Sequence, residues 1–254
     1  MRKKISDLKI FPPLITFVIF IFTTEYLVRS GTVNEYFLPA PSQVLNAFFE
    51  DRGVLFEGAL STCFSAAIGL VLSFFIGTLL AVLFSISSFV RRAVYPYAVF
   101  FQTVPVIAIA PLLVIWFGFG QPTVIASSFI VSVFPVIANV LMGLQSTDPQ
   151  LLELFRFYSA PPATLLLKLR LPFALPQIFT GLRIAAGLAI VGAIVGEFIA
   201  GGGLGGVVDS ARTQQRVDLV FASVLTSSLL GLFFIGGINY LSWITLRKWH
   251  ISEQ

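Results

Sequence analysis

Charge is scarce in this chain. Of its 254 residues only 11% are Asp, Glu, Lys or Arg, while 57% are hydrophobic. A soluble domain carries about a quarter of its residues as charges, and a chain this poor in them cannot cover itself with a wetted surface. Lipid is therefore its expected solvent. Histidine and cysteine are scarcer still, at one each. Cys63 lies inside an apolar run, can form no internal disulfide and reads as a small packing residue. His250 stands at the far end of the chain, where it cannot partner a serine or cysteine inside an apolar span. One His and one Cys do not make a zinc or haem site, so no metal ligand is assigned. A Gly-x-x-x-x-Gly-Lys-Ser/Thr phosphate loop is missing, and the chain cannot itself be a P-loop ATPase. Gly201, Gly203 and Gly206 do spell Gly-x-Gly-x-x-Gly, but after a long apolar segment and not after a strand. A flexible turn is expected there and not a dinucleotide site. No residue is assigned a catalytic role. Internal repeats, a soluble domain and a low-complexity tail are also missing.

What is present is a series of apolar runs. A membrane helix needs roughly 20 apolar residues, and six segments qualify: about Ile10 to Val28, Ala59 to Phe84, Val94 to Phe117, Thr123 to Leu144, Ile178 to Ala200 and Leu219 to Leu246. The pattern predicts an all-α polytopic membrane protein. The third run is the least regular, with Pro96, Pro105 and Pro111 inside it. Proline removes a backbone donor and kinks a helix, and such breaks survive in lipid where a neighbouring helix or a watery path satisfies the freed groups. This segment is either part of a pathway wall or a kinked packing helix. Ser42 is a suitable N-cap for a short interfacial helix through Phe49. The first run has a basic start like a signal peptide, but Thr23-Thr24-Glu25-Tyr26 offers no small-x-small cleavage site, so it is expected to stay as a helix.

The formal charge of +4 matters less than its placement. Arg2, Lys3, Lys4 and Lys9 precede the first span. Arg91 and Arg92 follow the second, Arg156, Lys168 and Arg170 follow the fourth, with Arg183 just inside the fifth, and Arg247 and Lys248 follow the sixth. With six spans all of these fall on one side, against Arg29, Arg52, Arg212 and Arg216 on the other. The asymmetry places both termini in the cytoplasm of a cell (inner or plasma) membrane. Basic residues in short clusters between apolar spans do not make a nucleic-acid surface.

Polar groups inside the spans are the candidate pathway residues. Glu197 lies one turn from the outer end of the fifth span, where an ionisable residue is a functional candidate by default; the nearness of headgroups is the bland alternative. Glu25 is placed similarly. Gln102 and Asn139 either line a route for a polar solute or hydrogen-bond across helices. Pro105 joins them as the central break of the third run. Gly192 and Gly196 form Gly-x-x-x-Gly, which lets helices approach closely.

The segment between the fourth and fifth spans reads Glu153-Leu-Phe-Arg-Phe-Tyr-Ser-Ala-Pro-Pro-Ala-Thr-Leu-Leu-Leu-Lys-Leu-Arg-Leu-Pro172. Its spacing resembles the EAA loop of ABC-transporter permeases, with Glu153 at the glutamate, Ser159 at the usual glycine followed by Ala160, Leu169 at the isoleucine, and Leu171-Pro172 closing it. Gln102-Thr-Val-Pro105 through Pro111-Leu112, Trp116-Phe-Gly118, Leu171 to Pro176, Gly181-Leu-Arg183, Val195-Gly-Glu-Phe198, Gly202-Gly-Leu-Gly205, Phe37-Leu-Pro39 and Pro41-Ser42 resemble the nitrate, sulfonate and taurine subgroup in collinear order. The departures are Leu154 and Phe155 where small residues are usual, and Ser159 with Pro161-Pro162 where a glycine makes the turn. A proline pair stops a first helix from continuing, so the expected helix, turn, helix is kept by other means.

The resemblance implies the type I ABC importer permease fold with a cytoplasmic coupling helix, in one transmembrane permease domain over 1–254, its core at about 59–246 and the coupling loop at 147–177. It implies a bilayer-embedded importer subunit that works by alternating access without bond chemistry of its own. The partners implied are an ABC ATPase subunit holding ATP-Mg, an extracytoplasmic solute-binding protein and a second copy of this chain. No cofactor is expected in the chain itself. The implied solutes are nitrate-, sulfonate- or taurine-like, or pyrimidine- or riboflavin-like, and the Gln102-Thr-Val-Pro form leans to the latter. An ion-coupled secondary transporter is the alternative, although the internal repeats and midplane charges common in such proteins are not evident here.

Overall fold

The computed structural model describes residues 3–247, with side chains from residue 11 onward. Arg2, Lys248 and His250, which enter the charge and histidine arguments, lie outside the described residues. The chain forms helices α1 (Lys3–Arg29), α2 (Pro41–Glu50), α3 (Arg52–Ile86), α4 (Ser88–Thr103), α5 (Val106–Phe117), α6 (Gln121–Gln145), α7 (Pro149–Phe157), α8 (Pro162–Leu165), α9 (Leu171–Ala200), α10 (Gly203–Thr213) and α11 (Val217–Leu246), with a π-helical turn at Leu166–Arg170 between α8 and α9. No strand occurs among the described residues.

Five helices are long and apolar enough to cross a membrane, and a sixth crossing is made if α4 and α5 count as one bent span. The third run is thus a broken helix and not a kinked one. α4 and α5 meet at 104°. Val104 is extended (φ −74°, ψ 122°) because it precedes a proline, whose ring disfavours the helical region for its neighbour. Pro105 then starts α5 at its N-cap, while Pro96 and Pro111 stay within their helices.

The core is a three-helix wall, α3–α6–α9. Lipid gives no hydrophobic push between helices, so close approach and interhelical hydrogen bonds must hold them. Ser127 and Ser128 of α6 donate to the Gly192 and Ala189 carbonyls of α9 at 2.7 and 2.9 Å. One turn further along α6, toward α3, the hydroxyls of Ser73 and Ser132 lie 2.7 Å apart. Gly192 is required by the approach itself: a Cβ there would come 2.8 Å from the Ser127 carbonyl and the Ser128 Cα. Gly192 and Gly196 therefore pack helices within one subunit. Ala185, Ala186, Ala189 and Ala193 of α9 and Val136 and Val140 of α6 complete the buried core.

Two local expectations are corrected. The N-cap of α2 is Ala40 and not Ser42; the Gln43 side chain accepts the Ala40 N–H at 2.9 Å. Ser42 instead gives its N–H and hydroxyl to the Glu25 carboxylate at 3.0 and 2.8 Å, so an acid from α1 sits at the positive end of α2. The glycine run is a turn only at Gly201 and Gly202, and α10 begins at Gly203.

Candidate functional site

Asp148 opens the loop after α6 by capping α7, its carboxylate accepting the Gln150 N–H at 2.8 Å. α7 then runs nine residues and none is buried. Its end is built by the backbone. Ser159 takes a left-handed conformation (φ 48°), its N–H donates to the Arg156 carbonyl at 2.9 Å, and the Ala160 N–H donates to the Phe155 carbonyl at 3.0 Å. These are the paired bonds of a Schellman ending, whose left-handed position is the one that favours glycine. The spacing therefore located the turn correctly, with serine in the glycine's conformation. Pro161 and Pro162 follow, and Pro162 begins the next helix at a position where a missing N–H costs nothing.

The expected second helix is continuous with the fifth span. The helix from Pro162 to Ala200 passes through Leu171-Pro172 without a break, so that pair does not mark a separate re-entry. The π turn accounts for it. Leu171 N–H bonds the Leu166 carbonyl, five residues back. Pro172 has no N–H and its ring would crowd the carbonyl four residues before it; the wider turn immediately upstream makes room. Leu169 is buried within this turn, and Leu171 packs on the edge of the core.

The residues to which the resemblance assigns coupling thus divide into two groups. Glu153 and Ser159 are exposed and Ala160 half-buried, and Glu153 makes no ion pair among the described residues. Leu169, Leu171 and Pro172 belong to the base of α9. The exposed side also carries Leu154, Phe157 and Tyr158, the last two 83% and 74% exposed. These are large apolar groups on and just after a short helix, and no described residue buries them.

The four pathway candidates are not brought together. Gln102 and Pro105 sit exposed at the α4–α5 elbow, where Gln102, Phe101, Trp116, Phe129 and Phe134 line a cavity of about 330 Å3. Asn139 is in the α6–α9 contact, its Nδ2 donating to the Pro135 carbonyl at 2.8 Å and its Cβ against Gly181. Glu197 is one turn from the C-terminal end of α9, buried to 1% exposure. Its Oε2 accepts from the Thr62 hydroxyl at 2.9 Å and the Gly205 N–H at 3.0 Å, and its Oε1 has no partner among the described residues. Thr62 is a residue the sequence reading missed. It lies 135 positions away, between Ser61 and Ser65 in an otherwise apolar run, and nothing local singles it out from those two hydroxyls.

Residues 69–242 match the family model of the binding-protein-dependent transport system inner membrane component. A probable ABC transporter permease protein of Haemophilus influenzae is 34% identical, over 92% of this chain and 96% of its own length. The formylaminopyrimidine transport permease protein of Halalkalibacterium halodurans is 39% identical over 83% of this chain and 85% of its own. The taurine transport system permease protein of Escherichia coli is 28% identical over 87% and 83%. Among solved structures, the MetNI methionine ABC transporter in an inward-facing conformation superimposes with a TM-score of 0.68 at 17% identity, over 76% of this chain and 96% of that chain. The likeness is one of fold, that of a type I importer permease.

Proposed function

The chain belongs to the family of binding-protein-dependent transport system inner membrane components, and from that premise we propose how it sits, what it docks and what it carries. As a family member it is the multi-pass permease component of an ABC importer for a small solute, a transport subunit whose system includes an ATPase and a binding protein. The ion-coupled secondary transporter is thereby set aside.

The proposal is that α7 and the Ser159 turn form the surface on which the ATPase docks. One observation carries it: a short capped helix with no buried residue presents Leu154, Phe157 and Tyr158 beside Glu153 and Arg156. Apolar groups rimmed by charge mark a protein contact. The docked ATPase holds ATP-Mg and performs the hydrolysis. Its closure pulls the loop, and the continuous helix from Pro162 carries that displacement into α9 and the wall. Both termini face the cytoplasm, since the loop's Arg156, Lys168 and Arg170 lie on the basic side. Two copies of the chain enclose the path and alternate between inward- and outward-open states, with a binding protein delivering solute outside. Gln102, Pro105, Asn139 and Glu197 shape that path, the first two directly at the elbow and the others by holding its walls. The solute we favour is a pyrimidine-like heterocycle, supported by 39% identity to the formylaminopyrimidine permease against 28% to the taurine permease.

A pull-down in mild detergent with the tag on this chain, followed by mass spectrometry, tests the docking. Recovery of a P-loop ATPase that is lost in Ser159→Arg supports it. Undiminished recovery and uptake in Ser159→Arg and Glu153→Trp would place the ATPase elsewhere.

A further inference from the structure

On the side opposite the coupling loop, the ends of α3, α9 and α10 enclose a crevice of about 640 Å3, lined among others by Asp51, Glu57, Glu197, Asp209 and Arg216. One wall is α10, which has weak grounds for being a helix at all. It is 11 residues long, with glycine at 203, 205 and 206, and short glycine-bearing helices are marginal without help. The chain before it turns through left-handed angles at Gly201 and Gly202 (φ 81° and 86°).

The help comes from two other helices. Leu204 N–H donates to the Thr62 hydroxyl of α3 at 3.0 Å, and Gly205 N–H donates to the Glu197 carboxylate of α9 at 3.0 Å. Thr62 in turn bonds Glu197 at 2.9 Å. Gly203 lies so close to the carboxylate that any Cβ would overlap it. Just beyond α10 the chain is tied to the start of α3 as well, since Arg216, at the N-cap of α11, donates to Asp51 at the N-cap of α3 at 2.7 Å, and it also donates to Asp218 within α11 at 3.1 Å. Under the helix, Leu204 and Ala211 are buried.

A helix cap does not need a buried acid. A local Ser, Thr, Asp or Asn does the same work, and a carboxylate taken out of water is costly unless fully paired. Here one oxygen has no partner among the described residues. What the arrangement provides, and a local cap would not, is a junction of three helices at one carboxylate. We propose that Glu197 and Thr62 are positioning residues of the transport cycle: they lock α10 to α3 and α9, so that the outer wall of the crevice moves with the α3–α6–α9 wall. The inference rests on the transporter reading and orientation given above.

The test uses the whole transporter in cells, with Cys63→Ala as background and a membrane-impermeant maleimide as probe. Ala211→Cys reports whether α10 is seated, and Gln214→Cys, on the exposed end of the same helix, reports which side is outside. Ala211→Cys is expected to be protected in the parent and to label about tenfold faster or more once a charge-assisted bond is lost in Glu197→Ala. Thr62→Val should act in the same direction, and both should lower the solute moved per ATP hydrolysed. Glu197→Gln and Thr62→Ser keep an acceptor oxygen and a hydroxyl and should restore both protection and coupling. Equal protection in Glu197→Ala and parent would overturn the proposal. So would a loss of uptake in Glu197→Gln as deep as in Glu197→Ala with α10 still seated, which would make the carboxylate a direct ligand. Failure of Gln214→Cys to label from outside would overturn the orientation, and with it the outer placement, while leaving the seating contrast to be read separately in inverted vesicles.

Discussion

Helices α6 and α7 follow one another in the chain and live in opposite surroundings. α6 is packed against two helices, with Ser127 and Ser128 against α9 and Ser132 against α3. α7 has not one buried residue. The small side chains are where helices of this chain must hold each other in lipid. The large ones, Leu154, Phe157 and Tyr158, stand exposed on the surface proposed above for docking. In water one expects the reverse, with bulky apolar groups inside. The difference teaches that small residues set where α6 and α9 come closest, while Phe84, Leu113 and Leu144 fill the wider gaps inside the bundle.

If that contrast is right, the two regions should break differently. The largest effect is expected from Gly192→Leu, which forces a side chain into the α6 backbone 2.8 Å away. Overpacking of this kind costs about 3 kcal/mol or more, and loss of folded protein in a detergent thermal-stability assay is the expected readout. Next is Ser159→Arg, which should abolish uptake and ATPase retention while shifting stability by less than about 0.5 kcal/mol, as for other exposed positions. A large fall in melting temperature there would erase the distinction between wall and loop. Leu169→Ala tests the joint between the two regions. It removes a buried side chain and should cost about 2 kcal/mol, with uptake falling even where folded protein is recovered. The smallest effect is a gain. Ser159→Gly relieves a left-handed Cβ worth about 1 kcal/mol and should raise stability slightly without loss of transport.

Much of this was legible in the sequence. Apolar run length marked the five helices long enough to cross and the bent pair α4–α5, because the solvent imposes that length whatever the neighbours are. Pro105 marked a break, since a proline acts on the residue before it without tertiary help; its 104° size was not readable, because that depends on what α4 and α5 pack against. Ser159 was placed by spacing, and its backbone conformation follows from the turn itself. The failures share a cause. The glycines from 201 to 206 speak for a flexible turn, and the bonds that make a helix from Gly203 onward come from Thr62 and Glu197. Ser42 was read as a cap because its neighbours fit, yet Glu25 from α1 claims it. Pairings between residues far apart leave no local trace in one sequence.

The π turn at Leu166–Arg170 has a consequence for how the chain tolerates change. Each residue added to an α-helix turns the following faces by about 100°, so a rigid rod from Pro162 to Ala200 would tie the facing of the loop to that of the span. A five-residue step absorbs one residue of phase. Closing the turn to α geometry with every residue kept would swing Ala174, Ile178 and Gly181 off α6, or else twist α8 away from its place, whereas deleting one residue between 166 and 170 would let the helix close with both facings unchanged. The wide turn works as a slip joint: the sequence before it can change its facing while the sequence after it keeps its register in the wall.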